Sequence, residues 1–348
     1  ALQAGHFNDF TFVSLLRGAI YRALDQSGQQ GLVDSDLGAS VRSALGFDRP
    51  LSPGQNPEES HRGEWLQDPL STGRNLADAE EALRFVLAYR TWFDQRRGWR
   101  YTNPNLEELG LLAVGYNGLE NFCADDKRFE KSPELLKNAS RSVREKAFRQ
   151  LFDYMRKGLA VDAAALDPHR LQQRRDDALR LLRDPWSVGR EERLLGWRWL
   201  FLQPPSAQAL RGRDEELILR GGLQTALGKT LRSAEFWEQP QATSLRRDAY
   251  LELLEAMIRL AQSEGFIRRD EHTLFNVPGF RLHAGRIRFR RGRDKGTRPN
   301  EFFASQYQAI ADMLARPEFF LFGLEAREHT AQVDRDLRAL RESRFRLG

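Results

Sequence analysis

The chain has 348 residues, and a single hydrophobic core rarely supports more than about 300, so the length predicts more than one module. Hydrophobic residues make up 41% and charged residues 30%, which is the composition of a globular protein and excludes a disordered or fibrous one. Cys123 is the only cysteine, which excludes an intramolecular disulfide, a cysteine-based zinc site and an iron–sulfur cluster within the chain.

The sequence carries no signal for a membrane or for export. No stretch approaches the roughly 18 consecutive apolar residues that span a bilayer. The first residues also lack the basic-then-apolar pattern of a signal peptide. We therefore expect a cytoplasmic protein that has no membrane partner.

The positive charge is almost entirely guanidinium. The formal net charge is +5, and the 54 lysines and arginines include only a handful of lysines. The planar arginine fork donates hydrogen bonds in pairs and stays protonated, which suits contacts with phosphates and base edges. GC-rich coding DNA also raises the arginine content. Composition alone therefore does not distinguish nucleic-acid binding from a coding bias without functional meaning.

Residues 1–73 predict an N-terminal helical or winged-helix-like module with a connector. Apolar residues recur at helical spacing up to Leu24, and Gly28 ends this helix. A second, shorter helix follows before Gly46. Two short helices in this order fit half of a helix-turn-helix unit and a plain helical bundle equally well. Residues 49–73 lack an apolar period and predict an exposed, partly disordered connector.

Residues 74–240 predict a helical domain. Helical blocks at 141–158 and 167–184 carry interspersed charges of both signs, which indicates solvated surface more than a binding site. Trp99 and residues 109–112 are expected to pack in a core and not on a ligand.

Residues 241–298 predict a winged-helix-like module with a basic hairpin. A predicted helix ends at Gly265. In the segment after it, apolar residues recur with the period of a strand and no longer with that of a helix. Residues 299–348 predict a further helix and then a buried strand at 319–322. The expected fold class is mainly α with small β hairpins, a helical bundle combined with winged-helix-like modules.

The segment 280–291 carries the strongest functional signal. If residues 284–285 form a two-residue hairpin loop, the apolar side chains fall on one face and the basic side chains on the other. The predicted apolar face consists of Phe280, Leu282, Ile287 and Phe289. The predicted nucleic-acid-binding residues are Arg281, His283, Arg286, Arg288, Arg290, Arg291, Arg293, Lys295 and Arg298.

A basic hairpin after a helix is typical of the wing of a winged helix, which lies along a phosphate backbone. Like charges on one face repel one another and usually need a polyanion or carboxylates opposite them. The alternative is a solvent-facing hairpin on a domain whose other surfaces are acidic.

Other candidate sites in the sequence are incomplete. Residues 221–230 (GGLQTALGKT) resemble a phosphate-binding loop, but five residues separate Gly222 from Gly228-Lys229-Thr230 where such a loop has four, and no acidic box follows. The six histidines have no metal-ligand spacing. Cys123 lies beside Phe122 and Ala124, which favours a buried small hydrophobe over a nucleophile. We therefore predict no catalytic residue and no metal site.

Two motifs resemble the large bacterial DEAD/DEAH-box helicases of superfamily 2. These motifs are residues 98–112 (GWRYTNPNLEELGLL) and 323–333 (GLEAREHTAQV), and residues 160–162 and 183–186 add to the resemblance. It implies a region between two RecA-like motor lobes, with residues 325–333 near the start of the second lobe. ATP and magnesium would then belong to the parent helicase and not to this chain, which lacks the phosphate loop, the acidic box and the later arginine motif.

The expected function is therefore an accessory nucleic-acid-binding region of an ATP-dependent DNA helicase, which grips duplex or single-stranded DNA beside the motor. The alternative is a protein–protein scaffold that docks other subunits of a DNA repair or phage defence complex. A free-standing enzyme is a third class, for which the sequence offers no site. The first two readings differ in salt dependence, because phosphate contacts release counterions on binding.

Overall fold

The chain folds mainly into helices. A computed structural model describes residues 10–96, 103–202, 216–272, 277–292 and 300–316. Those ranges contain twelve α-helices and six short β-strands. The predicted mainly α fold with small β elements is therefore confirmed.

The helices and strands have the following bounds. The helices are α1 Phe10–Ser27, α2 Leu37–Ala44, α3 His61–Trp65, α4 Gly73–Asp94, α5 Leu119–Ala124, α6 Glu134–Lys137, α7 Arg141–Lys157, α8 Pro168–Leu181, α9 Ala226–Leu231, α10 Ala234–Trp237, α11 Arg247–Ser263 and α12 Glu301–Ala315. The strands are β1 Leu112–Tyr116, β2 Trp199–Phe201, β3 Ile218–Arg220, β4 Ile267–His272, β5 Val277–Leu282 and β6 Ile287–Arg291.

Local sequence signals fix the ends of several helices. Gly28 follows α1 with φ of 56°, a left-handed conformation that glycine adopts without the cost of a Cβ. The Ser140 side chain caps α7 by accepting from the Val143 N–H. Asp167 accepts from the His169 N–H at the start of α8, whose first residue is Pro168.

Part of the predicted connector at 49–73 is buried, which corrects the expectation of a segment that is exposed throughout. It contains α3, and Trp65 at the end of α3 is 1% exposed. The Trp65 ring stacks on Phe47 with 6.2 Å between centroids. The sequence lacked an apolar period here because five residues of helix are too few to show one.

One hydrophobic cluster extends through the described residues. It includes Leu16 of α1, Leu87 of α4, Met257 of α11 and Tyr307 of α12. These four residues come from the four predicted ranges 1–73, 74–240, 241–298 and 299–348, so the ranges share a core. Helix α1 packs along α12, which joins the two ends of the described chain.

The strands form two sheets. In the first sheet β1 and β6 pair antiparallel, with Val114 opposite Phe289. The second sheet has the order β3-β2-β5-β4, in which β2 and β3 are parallel and the other pairs are antiparallel. The predicted winged-helix-like range 241–298 thus supplies α11 and the hairpin β4–β5, while β2 and β3 of the same sheet come from residues before it.

Arginines are part of the core. Among the described residues the buried arginine side chains are Arg17, Arg90, Arg144, Arg156 and Arg281. Each has a carboxylate partner, as buried guanidinium groups require. Arg17 Nη2 lies 2.6 Å from Asp94 Oδ1, and Arg156 Nη2 lies 2.8 Å from Glu107 Oε1. Part of the high arginine content therefore serves the fold.

Candidate nucleic-acid interface

The predicted hairpin within residues 280–291 is not formed. Residues 284–286 form a 3₁₀ turn, and β5 and β6 enter different sheets. Both edges of β5 are occupied by β2 and β4. One edge of β6 pairs with β1. On the other edge, the Phe289 N–H donates to the Leu32 carbonyl at 2.9 Å, and the Leu32 N–H donates to the Phe289 carbonyl at 2.7 Å. The two strands have other partners, so they do not pair with each other.

The predicted apolar face is nevertheless buried. Phe280, Leu282, Ile287 and Phe289 are at most 7% exposed. The alternation of apolar and basic residues therefore identified correctly which side chains face the core. It did not identify the strands against which they pack.

Arg281 is not at an interface, although the sequence predicted a phosphate contact. Its guanidinium donates from Nε to Asp270 Oδ2 at 2.7 Å and lies 3.9 Å from the centre of the Trp197 ring. Trp199 Nε1 donates to the same Asp270 oxygen at 3.1 Å. Arg281 is 9% exposed, so it holds the outer face of the four-stranded sheet together and has no surface for DNA.

His283 and Arg286 also have structural contacts. His283 Nδ1 lies 3.3 Å from Asp162 Oδ2, and Asp162 Oδ1 accepts from the Ala284 N–H at 2.6 Å. Arg286 Nη2 donates to the Glu264 carbonyl at 2.7 Å, and its guanidinium lies 5.0 Å from the centre of the Phe266 ring. Both side chains therefore fix the 3₁₀ turn between β5 and β6.

Arg288 and Arg290 lie on the outer face of the ribbon that β1 and β6 form. They alternate with the buried Ile287 and Phe289 along β6, so their side chains point away from the core. Arg290 is exposed and, within the described ranges, has no carboxylate partner. Arg288 is half-buried, and its Nη1 donates to the Ile287 carbonyl at 3.2 Å.

Small residues lie opposite these two arginines. Gly115 pairs with Arg288, and Ala113 pairs with Arg290. A Cβ at position 115 would lie 4.0 Å from Arg290 Nη1. The Arg290 guanidinium therefore lies over the small residues of β1.

The other predicted basic residues differ in their surroundings. Arg291 is exposed but contacts the Asp25 carboxylate, and its guanidinium lies 5.4 Å from the centre of the Tyr21 ring. Arg293, Lys295 and Arg298 lie outside the described residues. The predicted set is thus divided, and of its described members Arg288 and Arg290 are the two that lie on the outer face of β6.

Sequence reasoning missed Arg149 of α7. Its Nη1 donates to the Val114 carbonyl at 2.9 Å, and its guanidinium lies 5.8 Å from the centre of the Tyr116 ring. Val114 lies opposite Phe289, so Arg149 covers the outer edge of the ribbon. The short alternation of residues 112–116 was the only signal for β1, and no signal in the sequence linked it to α7.

The loop that resembles a phosphate-binding loop is filled by its own backbone. A Cβ at Gly228 would lie 2.6 Å from the Gly222 carbonyl oxygen and 2.7 Å from Leu223 Cα. Thr225 Oγ1 donates to the Gly222 carbonyl at 2.7 Å and accepts from the Gly228 N–H at 3.1 Å. The start of α9 lies against the loop, and a phosphate group does not fit between them.

Cys123 and the potential metal ligands of the described ranges offer neither an exposed thiol nor a cluster of ligands. Cys123 is 0% exposed, as the sequence predicted, and burial raises the pKa of its thiol to about 12. No group of three or more histidine, cysteine or acidic residues that could hold a metal ion occurs within the described part of the chain. No helix in the described ranges is long and apolar enough to cross a bilayer.

Comparison with known protein families, with curated proteins and with solved structures found no match to this chain. The resemblance to superfamily 2 helicases therefore stays a prediction from the two motifs. Of those motifs, residues 103–112 are described, and Leu106, Leu109, Leu111 and Leu112 are at most 2% exposed. The expected core packing of residues 109–112 is confirmed for its three leucines, while Trp99 and residues 323–333 lie outside the described residues.

Proposed function

We propose that this chain is an accessory nucleic-acid-binding region of an ATP-dependent DNA helicase, and that it grips the DNA backbone through the ribbon of β1 and β6. The observation that carries this proposal is the pair Arg288 and Arg290 on the outer face of β6. Two guanidinium groups on a strand fixed on both edges are a preorganised partner for phosphates. Alternate residues on a strand lie about 6–7 Å apart, which suits two neighbouring phosphates of one DNA strand.

Replacing both residues by alanine tests the proposal. We expect Arg288→Ala with Arg290→Ala to weaken binding of a duplex of arbitrary sequence and to reduce the slope of log affinity against log salt by up to about two units. The loss should be similar for unrelated sequences, because phosphate contacts carry no sequence information. Fluorescence anisotropy with labelled duplexes over a range of salt concentrations measures both quantities.

The matched control is the double variant Arg74→Ala with Arg180→Ala, which removes the same charge elsewhere. The side chains of Arg74 and Arg180 are 93% and 64% exposed. Arg74 lies 18 residues before Trp92 on α4, and Trp92 contacts Phe289, so Arg74 is about 27 Å along the helix from β6. Equal affinities of the Arg288/Arg290 variant and the parent at every salt concentration would contradict the proposal.

A protein–protein scaffold is the second candidate. The exposed apolar side chains of Leu70 and Met313 favour it, because the free energy falls when a partner surface removes apolar groups from water. A scaffold without phosphate contacts predicts little salt dependence of DNA binding and no effect of the Arg288/Arg290 variant.

A further inference from the structure

A trough lies along α4, between the start of α2 and the start of α8. On one side, Gly38 of α2 packs so closely on α4 that a Cβ at position 38 would overlap the Arg84 carbonyl oxygen. On the other side, Arg174 of α8 contacts the Glu81 carboxylate of α4. The cavity that α2, α4 and α8 enclose has a volume of about 270 Å³. Pockets for small molecules start at about 300 Å³, so this cavity suits a small ligand.

One end of the trough carries a carboxylate. Asp34 Oδ1 accepts from Trp92 Nε1 of α4 at 2.7 Å, and Asp34 Oδ2 accepts from the Ala164 N–H at 3.2 Å. Burial raises the pKa of Asp34, because these two N–H groups replace only part of the water that the carboxylate has lost. Arg84 lies eight residues before Trp92, which is about 12 Å along α4. Asp34 and Arg84 therefore mark opposite ends of the trough.

The other end of the trough carries guanidinium groups. Arg84, Arg170 and Arg174 line it. Arg174 contacts Glu81, which lies one turn before Arg84 on α4, and Arg170 Nε lies 3.7 Å from Asp167 Oδ2. Arg84 is exposed and has no carboxylate partner within the described part of the chain. This end therefore has an excess of positive charge, which suits an anion.

The middle of the trough is apolar. Phe85 and Ala88 of α4 form its floor, and Ala39 and Ala165 form its sides. The Phe85 ring is half-buried and stacks on Tyr89, with 6.2 Å between centroids and 27° between planes. An aromatic ring that is supported from behind, with small residues on either side, leaves a slot for a flat ring.

We propose that this trough binds guanosine monophosphate, with the base on Phe85, the N–H groups of the base on Asp34 and the phosphate on Arg84. A carboxylate has about four acceptor positions, of which the Trp92 and Ala164 N–H groups use two. Guanine presents two adjacent N–H groups on one edge, which match the two oxygens of a carboxylate. A phosphate dianion is a preferred partner of guanidinium groups. This inference does not depend on the ribbon of β1 and β6.

The carboxylate should also reject adenine. Adenine directs the N1 lone pair where guanine directs an N–H, so Asp34 repels it. The triphosphate of ATP is also longer than the trough, so ATP is not a ligand of this site. We expect isothermal titration calorimetry of the whole chain to show that guanosine monophosphate binds at least about 10-fold more tightly than adenosine monophosphate or inorganic phosphate.

Replacing Arg84 tests the phosphate contact. Arg84→Ala should weaken binding of guanosine monophosphate by about 10- to 150-fold, because a charge-assisted hydrogen bond is lost. Arg74→Ala is the matched control, since Arg74 lies on the same helix, ten residues before Arg84, and its side chain is 93% exposed. It should leave the affinity unchanged. The Arg288/Arg290 variant should also bind the nucleotide as the parent does, so failure of this inference is distinct from failure of the proposed function.

Replacing Asp34 tests the base contact. Asp34→Asn places an amide NH₂ opposite the N–H groups of guanine, so the preference for guanosine over adenosine monophosphate should be lost, with urea unfolding as the check that the variant is folded. Equal affinity of the parent for guanosine monophosphate and inorganic phosphate would overturn the proposal. Equal nucleotide affinities of Arg84→Ala and the parent would do the same.

The nucleotide could be free or could be the first residue of a strand, and competition distinguishes the two sources. The competitor is a 5′-phosphorylated oligonucleotide that begins with guanosine. Displacement of guanosine monophosphate by this strand would support the site and assign it to a strand end. Binding of guanosine monophosphate without displacement would support the site and assign it to the free nucleotide.

Discussion

Arg281 and Arg290 are nine positions apart in the sequence and have opposite surroundings. Arg281 is paired with Asp270 and covered by Trp197, while Arg290 is exposed and lies over Gly115. A guanidinium is kept in the core only where a carboxylate and hydrogen-bond acceptors replace water. The residue type therefore does not show whether an arginine can bind a ligand. The contacts that its side chain makes with neighbouring residues show this.

His61 is a second residue whose surroundings change its chemistry. Its ring lies near Phe47, and its Nε2 is 2.7 Å from the Arg49 carbonyl oxygen. Burial, together with the charges of Arg62, Arg49 and Arg42, lowers the pKa of His61 from 6.5 to about 4. The ring is therefore neutral in the folded protein at neutral pH, with Nε2–H donating to the carbonyl.

The stability of the folded protein should depend on pH through His61. The unfolded chain takes up a proton at His61 below its ordinary pKa of 6.5, whereas the folded chain does so only near 4. The contribution of the neutral His61 ring to the free energy of unfolding is therefore fully present above about pH 6.5. It is lost as the pH falls towards 4. The loss should be about 1–2 kcal/mol, less than the full linkage because solvent reaches part of the ring.

Urea unfolding of the parent and of His61→Gln between pH 7.5 and about pH 4.5 measures this effect. Glutamine keeps an N–H donor and does not titrate, so the difference between the two proteins isolates His61 from the other acids and bases. We expect the parent to lose stability relative to the variant as the pH falls. A difference that is constant over this range would contradict the assignment.

At the scale of elements, β6 shows how a short strand is stabilised by residues far from it in sequence. β1 covers one edge of β6, and Leu32 bonds to the other edge. The Phe289 ring meets Trp92 of α4 at 5.3 Å between centroids. The ribbon that carries Arg288 and Arg290 is therefore anchored to α4 and to the segment after α1.

Truncation of the anchoring side chains should destabilise the protein. Phe289 and Ile287 are 1% and 0% exposed, and Phe289→Ala or Ile287→Ala should each cost about 2–5 kcal/mol by leaving a cavity. Arg290→Ala, one residue from Phe289 but on the exposed face, should change the free energy of unfolding by less than about 0.5 kcal/mol. Denaturant unfolding measures all three, and equal effects at positions 289 and 290 would show that β6 is not anchored as described.

At the scale of the whole molecule, we expect the isolated chain neither to bind nor to hydrolyse ATP. The glycine-rich loop before α9 is filled by Gly222 and Leu223, and the sequence carries no acidic box to hold magnesium. Phosphate release from magnesium-ATP, with and without DNA, should equal that of the buffer. Turnover that Lys229→Ala abolishes would overturn this prediction.

The amino-acid sequence by itself determined where most helices lie and which side chains face the core. Helices α7 and α8 at 141–157 and 168–181 match the predicted blocks closely, because their apolar period and their caps are local features. The same holds for the burial of Phe280, Leu282, Ile287 and Phe289, since alternation along a strand assigns each side chain to a face.

Only the tertiary structure decided how the strands pair and which arginines are buried in the core. Alternation assigns faces but not hydrogen-bonded neighbours, so it could not distinguish a β5–β6 hairpin from strands that pair with β4 and β1. The partners of the polar side chains are also distant in sequence: Arg17 meets Asp94 after 77 positions, and His283 meets Asp162 after 121. Such contacts depend on the packing of the whole core, which no local pattern encodes.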